Sequence, residues 1–577
     1  MRTVPGTQGW NAELVTVGIC LATPAERRAA LTAACTGNHG PMSRLPGSYL
    51  ALLWLDGVLT VAGDRAGVVP VYWARHGDAI WWSTVAAPLA ALTGTDPRLP
   101  VLLADLTLAG VDIAHDQARY ESVRRVPPGH ALILRPGGDP AVHRLPVPPP
   151  LTPDEGARQL RSALGTAVGR RSDMYGTLTT DLSGGIDSSS VTCLAAARRP
   201  VLSVTYTDAR LAEEDDVHYA RRLAAENVGI SHQIIDARRA GVRQFDGLGD
   251  SGALPVTDIP SLSLGWLAVK DAQMAPVAAH GSQAHLTGRG GDNVLTAADS
   301  RYVDQFLDGH RLAALRGATA HARAHHVAPW KVWRQLGRTA HTSYPRALES
   351  LATTVSGPEP LVMWRAARWE DLAWCSLTTA AEWLTPEGRR VVAELIEART
   401  RTADPSVTPG ALHDRLDLEF MAGSHAMYDS IARQRWNIPV HAPFLDTTVI
   451  DACHAVPAHQ RVREGIYKPL AREALAGLVP DFLLHRQTKT AFTTSLYDGL
   501  AANASVLRKI VSTSSLAQAG LIDAHRVEVA LTGAVAGAPA PLAALHALIV
   551  TELWLTSLQR QTARATWWQP ATERSPI

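Results

Sequence analysis

The segment DLSGGIDSSS at residues 181–190 constrains the fold of this chain more than any other feature. The β-branched stretch at 176–180 predicts a strand before it, and apolar residues at helical spacing predict a helix after it. Gly184 and Gly185 let the backbone turn tightly between these elements and approach a ligand closely. The free backbone amides and the helix N-terminus then form a site for an anion, above all a phosphate chain.

Asp187 indicates that a metal ion binds at this predicted phosphate site. A carboxylate beside phosphates repels them unless a divalent cation lies between, so its presence implies Mg²⁺. The segment is not a Walker loop, because no lysine follows the glycines. An ordinary glycine turn capped by serines is the alternative interpretation.

Strand, loop and helix together resemble the SGGxDS pyrophosphate loop of the ATP pyrophosphatases, which adenylate a substrate and release pyrophosphate. The resemblance implies that ATP and Mg²⁺ bind at this loop. By it, the nucleotide-binding residues are Ser183, Gly184, Gly185, Asp187 and Ser188.

The composition is that of a soluble globular protein, with 46% hydrophobic and 19% charged residues. The length of 577 residues predicts two or more domains. A net charge of +1 provides no field that would recruit nucleic acid or an anionic membrane. The five scattered cysteines lack a CxxC pair and predict neither a disulfide framework nor a zinc site. Without an apolar signal region or a stretch of 18 apolar residues, we expect a cytoplasmic protein.

The chain between residues 10 and 135 reads as short strands joined by turns. Apolar stretches at 49–55 and 59–62 flank an Asp-Gly pair, which is a hairpin signal. Residues 63–73 resemble the DRxGxxPLYY segment of glutamine amidotransferase domains, and residues 126–130 resemble their later LPPGH segment. The resemblance implies an N-terminal αββα sandwich of the Ntn type.

The glutaminase chemistry of those domains is not expected here. They use a cysteine exposed as the new N-terminus after Met1 is removed, whereas this sequence has Arg2. The nearest cysteine, Cys20, lies inside an apolar run. We therefore expect a degenerate domain that releases no ammonia and serves as a scaffold or a substrate-docking surface.

A Pro-rich connection at 135–150 predicts the domain boundary, because such a composition continues neither a strand nor a helix. We place the degenerate glutaminase-like domain at residues 1–145. The synthetase domain, resembling the asparagine synthetases, then covers residues 151–577.

The synthetase domain alternates strands and helices. A helix at 154–171, the loop strand and a strand at 200–206 predict a doubly wound parallel sheet with ligands at the carboxyl ends of its strands. Helical insertions complete this α/β architecture. By the resemblance, Val204 near the end of the second strand lies against adenine. The acidic run at 213–216 opens the next helix, where carboxylates suit the helix dipole.

A second glycine-rich segment, TGRGGDN at 287–293, again places an aspartate beside glycines. Paired with the first loop, it resembles the SGEGSDE segment of asparagine synthetases, whose aspartate holds the second side of a Mg²⁺–pyrophosphate cluster. The resemblance makes Asp187 and Asp292 the metal ligands and adds Gly288 and Gly290 to the nucleotide site.

Three further segments resemble the asparagine synthetases. Residues 438–446 match xExRxPFLD with His441 in place of arginine, and 467–474 match KxxLREA. Residues 479–492 match LPxxILxRxKxxF, which makes Lys489 the catalytic lysine and Arg486 the next candidate. Lys468 and Arg472 stand four residues apart on a predicted helix and could equally be surface residues.

The region between Gly309 and Leu348 carries seven basic residues and no acidic one. This surface could bind an anionic peptide segment or could be a solvated helical face. The paired His325 and His326 lack the HExxH spacing, so the sequence predicts no zinc there.

The chemistry shared by this family is activation of a carboxylate as an acyl-adenylate, followed by attack of an amine. The amine can be ammonia, an internal amine that closes a small ring, or the N-terminus of a peptide. β-Lactam synthetases carry a tyrosine base three residues before the second aspartate, and asparagine synthetases usually have glutamate there. Arg289 holds that position in this site and cannot act as a base near neutral pH.

A peptide α-amine needs a dedicated base least, because its pKa of about 7.7–8.0 leaves a neutral fraction at cellular pH. The sequence is therefore most like the lasso-peptide cyclases, which join a peptide's N-terminus to an internal Asp or Glu side chain. The expected partners are a precursor peptide, a leader peptidase and a leader-binding protein. A β-lactam-synthetase-like enzyme, an ammonia-dependent asparagine-synthetase-like enzyme and a nucleotide-binding pseudoenzyme scaffold remain alternatives.

Overall fold

The computed structural model of the protein describes residues 2–5, 11–208, 215–249, 254–361, 371–486 and 493–564. Lys489, the lysine to which the resemblance assigns catalysis, lies outside these residues. No helix of the described ranges is long and apolar enough to cross a membrane.

The N-terminal part of the chain forms two antiparallel sheets. Its strands are β1 (Arg2–Pro5), β2 (Ala12–Cys20), β3 (Gly47–Leu55), β4 (Val58–Ala62), β5 (Val71–His76), β6 (Ala79–Ser83), β7 (Leu108–Ala109), β8 (Arg124–Val126), β9 (His130–Leu134) and β10 (Ala141–Arg144). Its helices are α1 (Pro24–Cys35), α2 (Ala86–Thr93) and α3 (Leu99–Thr107). The six-stranded sheet has the order β1-β2-β3-β4-β9-β10, and the three-stranded sheet has the order β6-β5-β8. The hairpin expected at the Asp-Gly pair joins β3 to β4, with φ values of 48° and 85°.

Three buried clusters give the order of the layers in this part. The first joins α1 to one face of the six-stranded sheet, the second lies between the two sheets, and the third joins α2 to the far face of the three-stranded sheet. Representative pairs are Leu31 with Leu14, Leu50 with Val71, and Leu89 with Tyr72. The layers therefore follow the αββα order that the resemblance implies.

The second part of the chain is built on a parallel sheet. Its strands are β11 (Leu178–Asp181), β12 (Val201–Thr207), β13 (Ile230–Asp236), β14 (Ala284–Leu286) and β16 (Val440–His441). A further strand, β15 (Ser376–Leu377), pairs with β7 of the N-terminal part. The parallel sheet has the order β13-β12-β11-β14-β16. This confirms the predicted parallel α/β sheet.

Helices surround this sheet and form a large insertion after β14. They are α4 (Pro153–Met174), α5 (Ile186–Ala196), α6 (Asp215–Glu226), α7 (Ala237–Ala240), α8 (Leu267–Ala279), α9 (Gly291–Leu295), α10 (Arg301–Leu307), α11 (Arg311–Ala324), α12 (Pro329–Ala340), α13 (Tyr344–Ser356), α14 (Pro386–Thr400), α15 (Pro409–Trp436), α16 (Thr447–His454), α17 (Ala458–Arg461), α18 (Pro469–Leu475), α19 (Asp481–Leu484), α20 (Thr493–Ala502), α21 (Ala504–Ser512), α22 (Ser515–Gln518), α23 (Ala524–Val535) and α24 (Leu542–Arg564).

Strand order places both glycine-rich segments at one point of the sheet. From β11 the chain moves outward through β12 to β13, and it then returns to β14 on the opposite side of β11. The loops that follow β11 and β14 therefore leave the carboxyl ends of neighbouring strands, where the direction of the strand order reverses. In open parallel sheets this switch point forms the ligand crevice.

The N-terminal part also contributes to the helical core of the second part. Leu103 of α3 belongs to the same buried cluster as Leu348 of α13 and Leu545 of α24. The buried Asp112 carboxylate accepts hydrogen bonds from Arg399 at 2.7 Å and Arg415 at 2.7 Å. The boundary between the proposed domains 1–145 and 151–577 remains a prediction, although these contacts join the two ranges tightly.

Candidate active site

Glycine allows the two glycine-rich loops to approach each other closely. Gly184 has a φ of +83°, and a Cβ atom there would clash with the carbonyl oxygen of Asp216. A Cβ atom at Gly288 would lie 2.5 Å from the Ser188 nitrogen, and one at Gly291 would overlap the Asp187 carboxylate. Glycine at 288 and 291 therefore lets the loops after β11 and β14 meet, and glycine at 184 lets the first loop lie against α6.

This close approach brings the two predicted metal ligands to one ammonium group. Lys468 Nζ lies 2.6 Å from Asp187 Oδ1 and 2.8 Å from Asp292 Oδ1. Tyr467 Oη donates a hydrogen bond to Asp292 Oδ1 at 3.2 Å. Two carboxylates that are distant in sequence thus share a single cationic partner at the switch point of the sheet.

Lys468 is not one of the surface residues that the sequence allowed. Its side chain is 1% exposed, and its backbone has a φ of +48° immediately before the first residue of α18. Burial alone would lower the pKa of this ammonium, but attraction to Asp187 and Asp292 raises it above its ordinary value. A buried lysine is tolerated here because two carboxylates compensate its lost hydration.

The residues present fit Mg²⁺ and a phosphate chain. Asp187 and Asp292 supply the carboxylate oxygens that Mg²⁺ prefers, and the Asp292 side chain is 48% exposed toward an incoming ligand. The loop before α5, an eleven-residue helix, presents backbone amides beside these carboxylates. We propose that Asp187 and Asp292 would hold the metal.

Serine hydroxyls fix the shape of the first loop. Ser188 Oγ accepts a hydrogen bond from the Ser183 amide at 3.0 Å and lies 2.8 Å from Ser183 Oγ. The Gly185 amide donates to Ser183 Oγ at 3.4 Å. In this structure both serines act within the loop, and their predicted contact with ATP remains a prediction.

Arg486 contacts both the first glycine-rich loop and α6. Its Nη1 donates to the Gly184 carbonyl oxygen at 2.8 Å, its Nη2 contacts Asp216, and its guanidinium lies 4.5 Å from the centre of the Tyr219 ring. The side chain is 3% exposed. These contacts favour a positioning role for Arg486 over the predicted catalytic one, because its Nη1 and Nη2 atoms are already engaged by the loop and α6.

Arg289 points away from the carboxylate pair and toward α15. Its Nη2 donates to Ser424 Oγ at 2.7 Å, and its guanidinium lies 5.4 Å from the centre of the Tyr428 ring. Lys270 lies 5.1 Å from the same ring. Burial lowers the pKa of both cations. Arg289 and Lys270 thus form a cationic cluster around Tyr428. The predicted catalytic role of Arg289 stays untested.

Val204 does not lie at the end of its strand. β12 continues to Thr207, and the Val204 carbonyl oxygen accepts a hydrogen bond from the Leu182 amide at 2.8 Å. Its side chain is buried with Met274 and Val440. The predicted contact of Val204 with adenine stays a prediction.

A cavity of about 510 Å³ opens at the carboxyl ends of β12 and β13. Tyr206, Asp208 and Ser495 contribute to its wall, and Ser495 contacts the Asp208 carboxylate. Gln244 also lines it; the residue is 2% exposed, and neither amide atom has a hydrogen-bond partner in the described part of the chain. Both side-chain amide atoms of Gln244 are shielded from solvent.

Fold and site together define a class of protein. A parallel sheet with two glycine loops and two facing carboxylates at its switch point has the residue types that suit a magnesium-bound phosphate ligand. The family model of asparagine synthase matches residues 159–556, and the chain belongs to that family. Its members are ATP-dependent carbon–nitrogen ligases that form AMP.

No curated protein matches the chain. Two solved structures illustrate its structural similarities. One, described as the structure of the allosteric regulatory enzyme of purine biosynthesis, is 14% identical, covers 40% of this chain and 62% of its own, and has a TM-score of 0.18. The other, glutamine phosphoribosylpyrophosphate amidotransferase from B. subtilis with ADP and GMP, is 13% identical, covers 50% and 64%, and has the same TM-score. The chain thus spans less than two thirds of the length of either structure.

Proposed function

We propose that this chain is an ATP-dependent macrolactam synthetase of the lasso-peptide cyclase type. It would adenylate an Asp or Glu side chain of a precursor peptide and join that carbonyl to the peptide's N-terminal amine, with release of AMP and pyrophosphate. The convergence of Asp187 and Asp292 on Lys468 carries the proposal. This constellation suits the adenylation step, which precedes every amide that such an enzyme makes.

The residues of the site divide the work of adenylation. The amides of the first glycine loop cradle the phosphates, while Asp187 and Asp292 would hold Mg²⁺, which supplies charge neutralisation on the pyrophosphate. The Lys468 ammonium is a compact point charge beside them and can contact a phosphate oxygen as negative charge develops. Arg486 keeps the loop in place through the Gly184 carbonyl oxygen.

Two observations favour a peptide amine over ammonia released from glutamine. Cys20 and Cys35 are the cysteines of the N-terminal part, and both are buried, at 5% and 8% exposure. Neither thiol is open to a glutamine side chain. In addition, Arg289 stands where a base would assist a less reactive amine, whereas a peptide α-amine with a pKa of about 7.7–8.0 is partly neutral already.

The N-terminal part would then dock the substrate. It contacts the synthetase part through the hydrogen bonds that Asp112 accepts from Arg399 and Arg415. A leader peptidase and a leader-binding protein are the partners that a precursor peptide would require. We propose both as partners.

The test is product analysis with a short synthetic peptide that carries a free N-terminus and an internal Asp or Glu side chain. Purified protein, ATP, Mg²⁺ and leader-free peptide should give a product that has lost one water, with one AMP formed for each ring. The same peptide with an acetylated N-terminus should form no ring. Production of asparagine from free aspartate and ammonia, without conversion of the peptide, would overturn the peptide assignment while leaving the family chemistry intact.

A further inference from the structure

A second group of metal-ligating side chains lies in the helical insertion, apart from the glycine loops. It consists of Asp299 before α10, His321 and His325 at the end of α11, and Asp371. One ligand atom from each residue lies within 4.8 Å of those from the other three. Sequence reasoning considered His325 with His326, but the relevant spacing is His321 with His325, because residues four apart share a helix face.

His321 is the centre of this group. Its side chain is 3% exposed, with Nδ1 3.5 Å from Asp299 Oδ2 and Nε2 3.9 Å from Asp371 Oδ2. The rings of His321 and His325 have centroids 4.5 Å apart. These separations are longer than the usual 2.7–3.2 Å of an N–H···O hydrogen bond. Two ligands that bind one tetrahedral zinc ion lie roughly 3.3 Å apart, and His321 Nε2 and Asp371 Oδ2 lie 3.9 Å apart here.

Arg301 distinguishes the roles of the two carboxylates. Its Nη1 donates to Asp299 Oδ1 at 2.7 Å, which leaves Asp299 Oδ2 directed at His321 Nδ1. A carboxylate held in this way orients a metal-bound imidazole through its other ring nitrogen. Asp371 Oδ2 faces the other ring nitrogen of His321, Nε2, at 3.9 Å.

We propose that His321, His325 and Asp371 bind one divalent transition-metal ion of the zinc class, with Asp299 orienting His321. Two imidazoles and one carboxylate form a ligand set that zinc accepts, with a fourth position for water. The imidazoles disfavour Mg²⁺ and Ca²⁺, which prefer an all-oxygen shell. The expectation of no zinc in this region is therefore revised.

This metal would serve the structure of the insertion. It would tie residue 371 to the end of α11, two points that are distant in sequence. The site is also connected to the active-site segment, because Tyr302 beside Arg301 donates from its hydroxyl to Glu464 Oε1 at 2.6 Å. Glu464 lies four residues before Lys468. Binding to the folded state alone stabilises that state by mass action.

Zinc titration of the full chain tests the proposal. Chelator-stripped protein, kept in excess Mg²⁺ so that zinc does not occupy the glycine-loop carboxylates, should bind one equivalent of Zn²⁺ and melt at a higher temperature. The variants His321→Ala, His325→Ala and Asp371→Asn should each lose that equivalent and the shift in melting temperature. Asp299→Asn should retain binding with an affinity lower by about 10–100-fold, as for other orienting partners.

Matched variants keep the result interpretable. His326→Asn replaces the adjacent exposed histidine, whose φ is +54°, with a residue that tolerates this backbone, and it should bind like wild type. Because His325 is itself exposed, His325→Ala should fold normally, and circular dichroism will verify this. Asp187→Asn should leave the zinc stoichiometry unchanged. Equal zinc binding by wild type and His325→Ala, or no binding by wild type, overturns the proposal.

Discussion

At the scale of single residues, Lys468 is a buried cation that lies between two carboxylates. Its ammonium is withdrawn from water and contacts both Asp187 and Asp292. Removing one partner of a buried charge group leaves the others uncompensated. The same proximity gives the ammonium access to the phosphates that these carboxylates would bind through Mg²⁺.

Replacing Lys468 therefore tests its role in the reaction. Lys468→Ala should lower the rate of AMP formation about 10²–10³-fold, as does loss of one donor from a preorganised site. Lys468→Arg should rescue poorly, because a planar guanidinium does not replace a point charge held between two carboxylates. The exposed Lys509→Ala is the control and should react like wild type. A Lys468→Ala rate within twofold of wild type would show that the contact is structural.

The pH dependence of the free energy of unfolding should report the ionisation of Asp181, the last residue of β11. Burial raises the pKa of Asp181, but His285 and Lys270 lower it more strongly, to about 2. A carboxylate whose pKa is lower in the folded than in the unfolded state, where it is near 4, stabilises the fold at pH values above that unfolded pKa. This contribution is lost as the pH falls toward 2. The difference in unfolding free energy between wild type and Asp181→Asn should therefore shrink by about 2 kcal/mol over this interval. Denaturant unfolding between pH 7 and pH 2 measures it, and a constant difference would contradict the assignment.

At the scale of elements, the meeting of the two glycine loops depends on the absence of side chains. Gly291→Ala should displace the Asp187 carboxylate, because the new Cβ atom would overlap it. We expect at least about a 10²-fold loss of AMP formation. Gly337→Ala in α12 is the matched control, because its Cβ atom would meet nothing within 4 Å and its φ is ordinary. That control should keep full activity and gain up to about 1 kcal/mol of stability. Full activity in Gly291→Ala would show that the loops are not closely apposed in solution.

The elements near the first loop could be predicted from the sequence because their signals are local. The helix predicted at 154–171 is observed as Pro153–Met174, where Thr152 and Glu155 form a capping box. The glycine-containing turns and the β-branched strands could likewise be predicted, because their signals lie within the elements themselves. The burial of Lys468 and the hydrogen bonds of Arg486 could not be predicted, because both depend on partners about 280 and 300 residues away along the chain. The proximity of His321 and His325 to Asp299 and Asp371 could not be predicted for the same reason.

At the scale of the whole molecule, one buried ion pair joins α4 to the segment that follows β16. Arg171 donates to both carboxylate oxygens of Asp446, each at 2.6 Å, and the two side chains are 1% and 0% exposed. Ser48 of the N-terminal part also donates to Asp446, at 3.2 Å. A single carboxylate thus connects the N-terminal sheet, α4 and the segment that follows β16.

Asp446→Ala should destabilise the protein by about 3–5 kcal/mol, because it leaves the buried Arg171 guanidinium unpaired. Chemical denaturation, followed by fluorescence, measures this change. Asp139→Ala removes an ion pair with Arg75 in which the aspartate is 91% exposed. This control should change stability by less than about 0.5 kcal/mol. Equal effects of the two substitutions would argue against a buried junction at Asp446.

We propose that Asp187 and Asp292 form the adenylating site for a peptide carboxylate. Exchange of labelled pyrophosphate into ATP, with Mg²⁺ and a precursor peptide whose N-terminus is acetylated, isolates this half-reaction from ring closure. Wild type should exchange only when the peptide is present, and Asp187→Asn and Asp292→Asn should not exchange while retaining a wild-type circular dichroism spectrum. Exchange at near wild-type rate in either variant, or exchange that ignores the peptide, would contradict the account.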